Sequence, residues 1–140
     1  MLLILTLCSG GIGQTAPIRK KPFRDSFKTA PDGVTKGWLV EYPWPDPDDT
    51  SQAWRTIPGK LEIARHGHVI RRFDATAFWN WSFWAGGKEV VYEVGPVHGE
   101  TGCFRVNIAS GKILEEWKGD CRNLPDDAPQ WVKAASGDSL

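Results

Sequence analysis

The sequence predicts an all-β fold: two tandem four-stranded antiparallel meanders packed as a small two-sheet domain, with a short helix at the C-terminus. Three observations predict it. Residues 76–119 alternate aromatic and β-branched runs with turn formers, from Phe78-Trp79-Asn80-Trp81-Ser82-Phe83-Trp84 through Glu89-Val90-Val91-Tyr92-Glu93-Val94 to Cys103-Phe104-Arg105-Val106-Asn107-Ile108 and Ile113-Leu114-Glu115-Glu116-Trp117. Such content favours strands, and Ala85-Gly86-Gly87 and Ser110-Gly111 sit where hairpin turns need positive φ. The chain also holds eight Trp and 15 Gly in 140 residues, the balance of short strands joined by many turns. Finally, the halves repeat: residues 59–73 lie over 103–117 at an offset of 44, pairing Gly67 with Gly111 and Phe73 with Trp117.

The elements follow in order. Leu2 to Leu7 is apolar and uncharged, and the first charged side chain is Arg19. An apolar run before small residues has the form of the second half of a signal peptide, with Gly11-Ile12-Gly13 as the cleavage site and the basic n-region missing. Residues 1–13 are therefore expected to be a leader, truncated at its start, and the mature chain secreted or periplasmic. The other reading is a buried N-terminal strand. The run is too short to span a bilayer as a helix, so no integral span is expected once it is removed. Leu7 is too large for a good lipobox, so lipoprotein anchoring through Cys8 is the weaker option. Residues 14–24, with Arg19, Lys20, Lys21 and Arg24, form a basic linker.

The β domain is expected over residues 25–124, with one repeat at 25–74 and the other at 75–124. Asp25 to Ala30 is a strand, and Pro31-Asp32-Gly33 is a turn. Trp38 to Tyr42 is the next strand. Pro43, Pro45 and Pro47 remove ladder donors, so a long loop is expected to about Pro58. Lys60–Arg65 and His68–Phe73 then form a hairpin turning at His66-Gly67. Residues 125–140 close the chain as a short helix and tail, capped by Asp126 or Asp127 with Pro129 in the first turn. In the aromatic strand, alternation puts Trp79, Trp81 and Phe83 on one face and Phe78 and Trp84 on the other. Phe27 lies over Trp81 in a second match, Phe27–Gly33 on Trp81–Gly87, so both are expected in the layer between the sheets.

These stretches resemble a known family. Phe83-Trp84-Ala85-Gly86-Gly87-Lys88-Glu89-Val90-Val91-Tyr92 looks like the first hairpin of TolB-like, or Trp-Asp-type, β-propeller repeats: an aromatic, a small residue, a Pro-Asp-Gly-Lys-like turn, then a β-run. Pro31-Asp32-Gly33 matches that turn more closely, and Asn107-Ile108-Ala109-Ser110-Gly111-Lys112 resembles the turn between a blade's third and fourth strands. The resemblance covers roughly residues 25–118. It implies blade-like sheets and binding surfaces; two blades fall short of the roughly four that close a propeller, and a fold does not fix a function.

Lys and Arg together equal Asp and Glu, 17 against 17. A net charge of zero gives no general electrostatic attraction to nucleic acid, so no nucleic-acid partner is expected. Gly-x-Ser-x-Gly, phosphate-loop and dinucleotide motifs are absent from the sequence, and no cofactor is expected. His66 and His68 are metal candidates weakened by the turn between them, and the Asp46, Asp48 and Asp49 loop lacks the spacing and closing Glu of a calcium loop, so no metal site is assigned. His98 with Glu100 is an acid/base candidate lacking a nucleophile, which leaves a glycan or peptide hydrolase, or a small divalent-metal binder, as alternatives to a non-enzymatic binding module. Trp44, Trp54, Trp84 and His98 are the candidate ligand contacts, for a protein or carbohydrate. Without the leader, Cys103 and Cys121 remain, an even count in an exported chain, and a disulfide is expected. If Ser110-Gly111 is a two-residue turn, Cys103 faces Lys118 and Cys121 stands about 10 Å further along an extended chain. The bridge then requires a reversal at Gly119-Asp120.

If residues 1–13 are a leader, a chain starting at Gln14 is expected to melt at the same temperature as the full chain. A large loss of stability would instead place Leu2–Leu7 in the core.

Overall fold

The computed structural model describes residues 21–46, 48–52 and 55–138. The leader, Cys8 and the first part of the linker lie outside the described residues. Among these residues eight strands form two antiparallel sheets, each in sequential order. The first holds β1 (Phe23–Thr29), β2 (Thr35–Pro43), β3 (Thr56–Arg65) and β4 (His68–Asp74). The second holds β5 (Phe78–Trp84), β6 (Glu89–Val94), β7 (Gly102–Asn107) and β8 (Ile113–Glu116), and one helix, α1 (Gln130–Ser136), follows. The all-β architecture of two four-stranded meanders with a short C-terminal helix is therefore the observed one. No helix among the described residues is long and apolar enough to cross a membrane.

Period-2 alternation makes the core. Leu39, Leu61 and Ile63 of the first sheet meet Phe78, Trp81, Val90, Tyr92 and Val106 of the second, joined by Ile108. Burying such side chains stabilises each by ~1.5–3 kcal/mol. Trp81 is the centre of the contact, only 2% exposed. Its indole Nε1 donates to the Ser26 carbonyl at 3.2 Å, and its own carbonyl accepts from Lys28 Nζ. Its ring lies against Gly37, where an added Cβ would stand 2.6 Å from Trp81 Cη2. Only glycine admits so close an approach. Two side-chain and backbone partners on β1 and a bare position on β2 thus let one indole lock the sheets together.

The far side of the second sheet is covered by α1. Trp131, Val132 and Ala135 pack with Val91, Cys103 and Cys121, with Trp84, Trp117 and Leu124 against the edge of this layer. The far side of the first sheet has no such cover among the described residues. There Trp38 donates from Nε1 to Glu62 Oε2 at 2.8 Å, Arg24 lies 4.3 Å from the Trp38 ring centroid, and Arg72 Nε reaches Glu62 Oε1 at 3.1 Å. Burial raises the Glu62 pKa, but the Trp38 and Arg72 hydrogen bonds and the Arg24 charge outweigh it and hold the carboxyl below its ordinary value.

Several expectations are corrected. Alternation fails at Trp79, where β5 is bulged: Phe78 pairs with Val94 and Asn80 with Glu93. The extra residue turns Phe78 into the core with Trp81 and sends Trp79 away from it, so Trp79 does not share the face of Trp81 and Phe83. Phe27 is 64% exposed and rests on Trp38, ring centroids 5.8 Å apart, not between the sheets. A second bulge, between Asp25 and Lys28, with Ser26 at φ 54°, puts it there. The first strand starts at Phe23, inside the expected linker, and the Pro-rich loop is shorter than expected because Pro43 and Thr56 still pair. The N-cap of the helix is Pro129, not a residue inside its first turn, and it makes no side-chain cap; with proline in the cap position neither Asp126 nor Asp127 caps the helix.

Truncating Trp81 to Ala is expected to cost ~3–5 kcal/mol, lost transfer energy plus a cavity. Gly37→Ala forces the same ring to move and is expected to cost ~1–3 kcal/mol. Thermal unfolding by circular dichroism measures both, and an unchanged melting curve for Trp81→Ala would place this indole in solvent. Burial pushes the Tyr92 phenol up to about 12. An unfolded chain releases that proton near pH ~10, so between the two values the folded state binds more protons and stability falls as pH rises. Urea unfolding should show that slope, and Tyr92→Phe should flatten it.

Candidate functional site

Between the C-terminal end of α1 and the bulged start of β5 lies a cleft of about 390 Å³ lined by Trp79, Asn80, Glu93, Cys121, Arg122, Leu124, Ser136 and Asp138. Most polar groups in it are held by a second contact. Trp79 is carried outward by the β5 bulge, and its Nε1 donates to the Gly95 carbonyl at 3.1 Å, fixing the plane of the ring. Asn80 Nδ2 donates both to Glu93 Oε2 at 3.1 Å and to the Ser136 carbonyl at 2.9 Å. Thr101 Oγ1 donates to the other carboxylate oxygen of Glu93 at 2.7 Å. Glu93 itself is 4% exposed. A buried polar group is tolerated when its hydrogen bonds are made, and this one anchors the helix end to the sheet through Asn80. Gly137 completes the junction: it is the left-handed cap of α1 at φ 80°, and a Cβ there would stand 2.7 Å from Asn80 Oδ1. Helix ends favour glycine at this position.

The opposite wall is the segment after β8. A two-residue turn at Ser110-Gly111 would set Cys103 opposite Lys118; instead it is Trp117 whose backbone N–H donates to the Cys103 carbonyl, at 3.0 Å. The cause is the β7–β8 connection, which holds more than a two-residue turn and shifts register between Arg105 and Val106. Beyond Trp117 the chain bends at Lys118-Gly119 and returns, and the Cys121 N–H donates to the Thr101 carbonyl at 3.2 Å. Asp120 holds the reversal: its Oδ1 accepts from the backbone N–H of Thr101 and of Arg122, and its Oδ2 from Asn123 Nδ2. The Arg122 and Thr101 amides keep its carboxyl below the ordinary aspartate range. Cys103 and Cys121 thereby stand at disulfide distance, with Cα atoms 6.0 Å apart. Arg122 then arches over the cleft, 5.7 Å from the Trp79 ring centroid, with its guanidinium donating to the Gly99 and Pro96 carbonyls at 2.9 and 3.2 Å.

The residues singled out in the sequence are scattered. Trp44 is half-buried in the loop after β2, with the Arg55 guanidinium 5.6 Å from its ring centroid. Trp54 lies outside the described residues. Trp84 packs against the layer under α1. His98 and Glu100 are both exposed in the β6–β7 loop. His66 and His68 are exposed at the β3–β4 turn, where Arg65 pairs with His68 and His66 and Gly67 take positive φ; the two imidazoles do not share a strand face. Among the described residues no group of three or more His, Cys, Asp or Glu could hold a metal ion. The cleft residues Trp79, Asn80, Arg122 and Asp138 were not picked out as a set, because nothing in their spacing reveals that a bulge and a chain reversal bring them together. Compared with protein-family models, curated proteins and solved structures, the chain gives no match.

Non-reducing mass spectrometry of native protein is expected to show the mass of a Cys103–Cys121 bridge, two protons below the reduced chain; two freely alkylated thiols would refute it. With a sequence separation of 18, replacing both cysteines by Ser is expected to cost about 3 kcal/mol. The pH dependence of the reversal follows from Asp120. A carboxyl whose folded pKa is depressed contributes stability above its unfolded pKa and loses it as pH falls through the folded one. Asp120→Asn should therefore reduce the acid sensitivity of unfolding.

Proposed function

We propose that the protein is an exported, non-enzymatic binding module built from two blade-like sheets, and that its ligand is a carbohydrate held in the cleft beside Trp79. One observation carries the reading: an indole of fixed plane shares a concave site with an amide, a carboxylate and a guanidinium whose positions are set by second hydrogen bonds. Sugars present apolar C–H faces and a rim of hydroxyls, and a site of one aromatic wall with convergent polar groups suits both. The Cys103–Cys121 pair is compatible with export. The paired four-strand meanders are in keeping with the propeller-repeat resemblance, as a compact module or as a piece of a larger assembly. Binding is favoured over hydrolysis because His98 and Glu100 stand exposed, away from the cleft lining.

Soluble oligosaccharides titrated against the native protein by calorimetry test the reading. Trp79→Ala is expected to weaken binding about fivefold, the ~1 kcal/mol of an aromatic contact, with the disulfide and the sheet core intact. A panel of neutral and charged tetrasaccharides that gives no heat and no quenching of Trp fluorescence would overturn it.

A further inference from the structure

The cleft holds a buried carboxyl group that is hydrogen-bonded but has no cationic partner among the described residues. Glu93 has 4% of its surface exposed, and among the described residues its two carboxylate oxygens accept only from the neutral Asn80 amide and the Thr101 hydroxyl. No ion pair among the described residues includes it. Buried carboxylates ordinarily have a cationic partner, because a charge taken out of water is costly unless it is paired. Among the described residues of the lining the one cation, Arg122, is committed elsewhere: its terminal nitrogens donate to the Gly99 and Pro96 carbonyls. Asp138, exposed, adds a second carboxylate to the same lining. The Ser136 carbonyl, at the C-terminal end of α1, also faces this junction, and helix C-termini favour cations.

We infer that the cleft selects a glycan bearing protonated amino groups, an amino sugar, whose ammonium group supplies the counter-charge that Glu93 lacks. The inference rests on the carbohydrate reading above and narrows its ligand class. The ring C–H face of the sugar lies on Trp79, and the ammonium group takes the side of the cleft formed by Glu93, Asp138 and Ser136. The fixed plane of Trp79 separates this from a simple attraction of any cation: a flexible alkyl amine gains the charge but not the stacked ring. Acetylation of the amine removes the charge and adds bulk at the point where the carboxylate waits.

The test compares the β-1,4-linked glucosamine tetramer, its fully N-acetylated counterpart and tetralysine, each titrated against the oxidised full chain at a pH where the amines are protonated. The expected result is at least tenfold tighter binding of the glucosamine tetramer than of either other probe. Equal binding of the two sugars would overturn the amine selection and leave the carbohydrate reading standing. Binding of neither sugar would overturn both. Tetralysine as tight as the glucosamine tetramer would overturn the amino-sugar identity in favour of charge alone. Glu93→Gln is expected to abolish the preference for the free amine, and a folded Glu93→Gln protein that keeps the tenfold preference would overturn the role of this carboxylate. Because Glu93 also anchors α1, Asp138→Asn, exposed and outside the core, provides a second variant. It should reduce the preference at least twofold with no change in melting temperature, and an unchanged preference would count against the charge argument.

Discussion

Everything in the two-sheet arrangement depends on the seating of Trp81 against Gly37. Two sheets packed face to face ordinarily keep about 10 Å between them, filled by side chains from both sides. Here one large ring crosses the gap and meets backbone instead of a facing side chain. Its N–H needs an acceptor when buried, and the Ser26 carbonyl supplies it. Its carbonyl needs a donor, and Lys28 reaches across, with burial holding that ammonium below the ordinary lysine pKa. The sheets are thus joined by a polar clasp inside an apolar contact, which fixes their relative register more sharply than interdigitating aliphatics would.

The two bulges divide the work of the chain. In β1 the bulge at Ser26 aims a carbonyl and Lys28 inward and leaves Phe27 outside. In β5 the bulge at Trp79 aims one aromatic out of the core to become a wall of the cleft. Bulges next to sites of function re-aim single side chains without disturbing the rest of a strand, and here the strand that centres the core also furnishes the site. The other wall comes from a chain reversal fixed by Asp120 and the cysteine pair. A rigid sheet on one side and a tied-down loop on the other is a common way to hold polar groups in place for a ligand.

Strand content, turn positions and the count of sheets were legible in the sequence because they rest on local signals: aromatic and β-branched runs, Pro-Asp-Gly, His-Gly and Gly-Gly. The inward positions Leu61 and Ile63 of β3 and Val90 and Tyr92 of β6 follow simple alternation. What escaped were departures from period 2. One extra residue at Trp79 reverses the faces of its neighbours, and nothing about Trp, Asn or Phe at those positions announces it. Phe27 and Trp81 aligned well in sequence yet face different ways, because the β1 bulge falls at Phe27 itself, between Asp25 and Lys28, whereas the β5 bulge falls before Trp81, between Phe78 and Asn80. The cleft escaped for a related reason: Asn80, Glu93, Arg122 and Asp138 are spread over nearly half the chain, and their meeting depends on the reversal at Asp120. The cysteine pair was the one long-range contact that composition could anticipate.

The bulge in β1 has a bearing on solubility. Among the described residues β1 is the outermost strand of its sheet, wholly exposed along its length, and it carries Phe23 and Phe27 at the surface. A straight strand of that kind offers a row of free backbone groups on which another chain can build. At Ser26 the backbone leaves the extended conformation, and its carbonyl turns inward to the Trp81 indole. The row is broken at its middle, and the flat template that fibril growth requires is interrupted. The hydrogen bond that clasps the two sheets therefore also interrupts the edge that β1 presents.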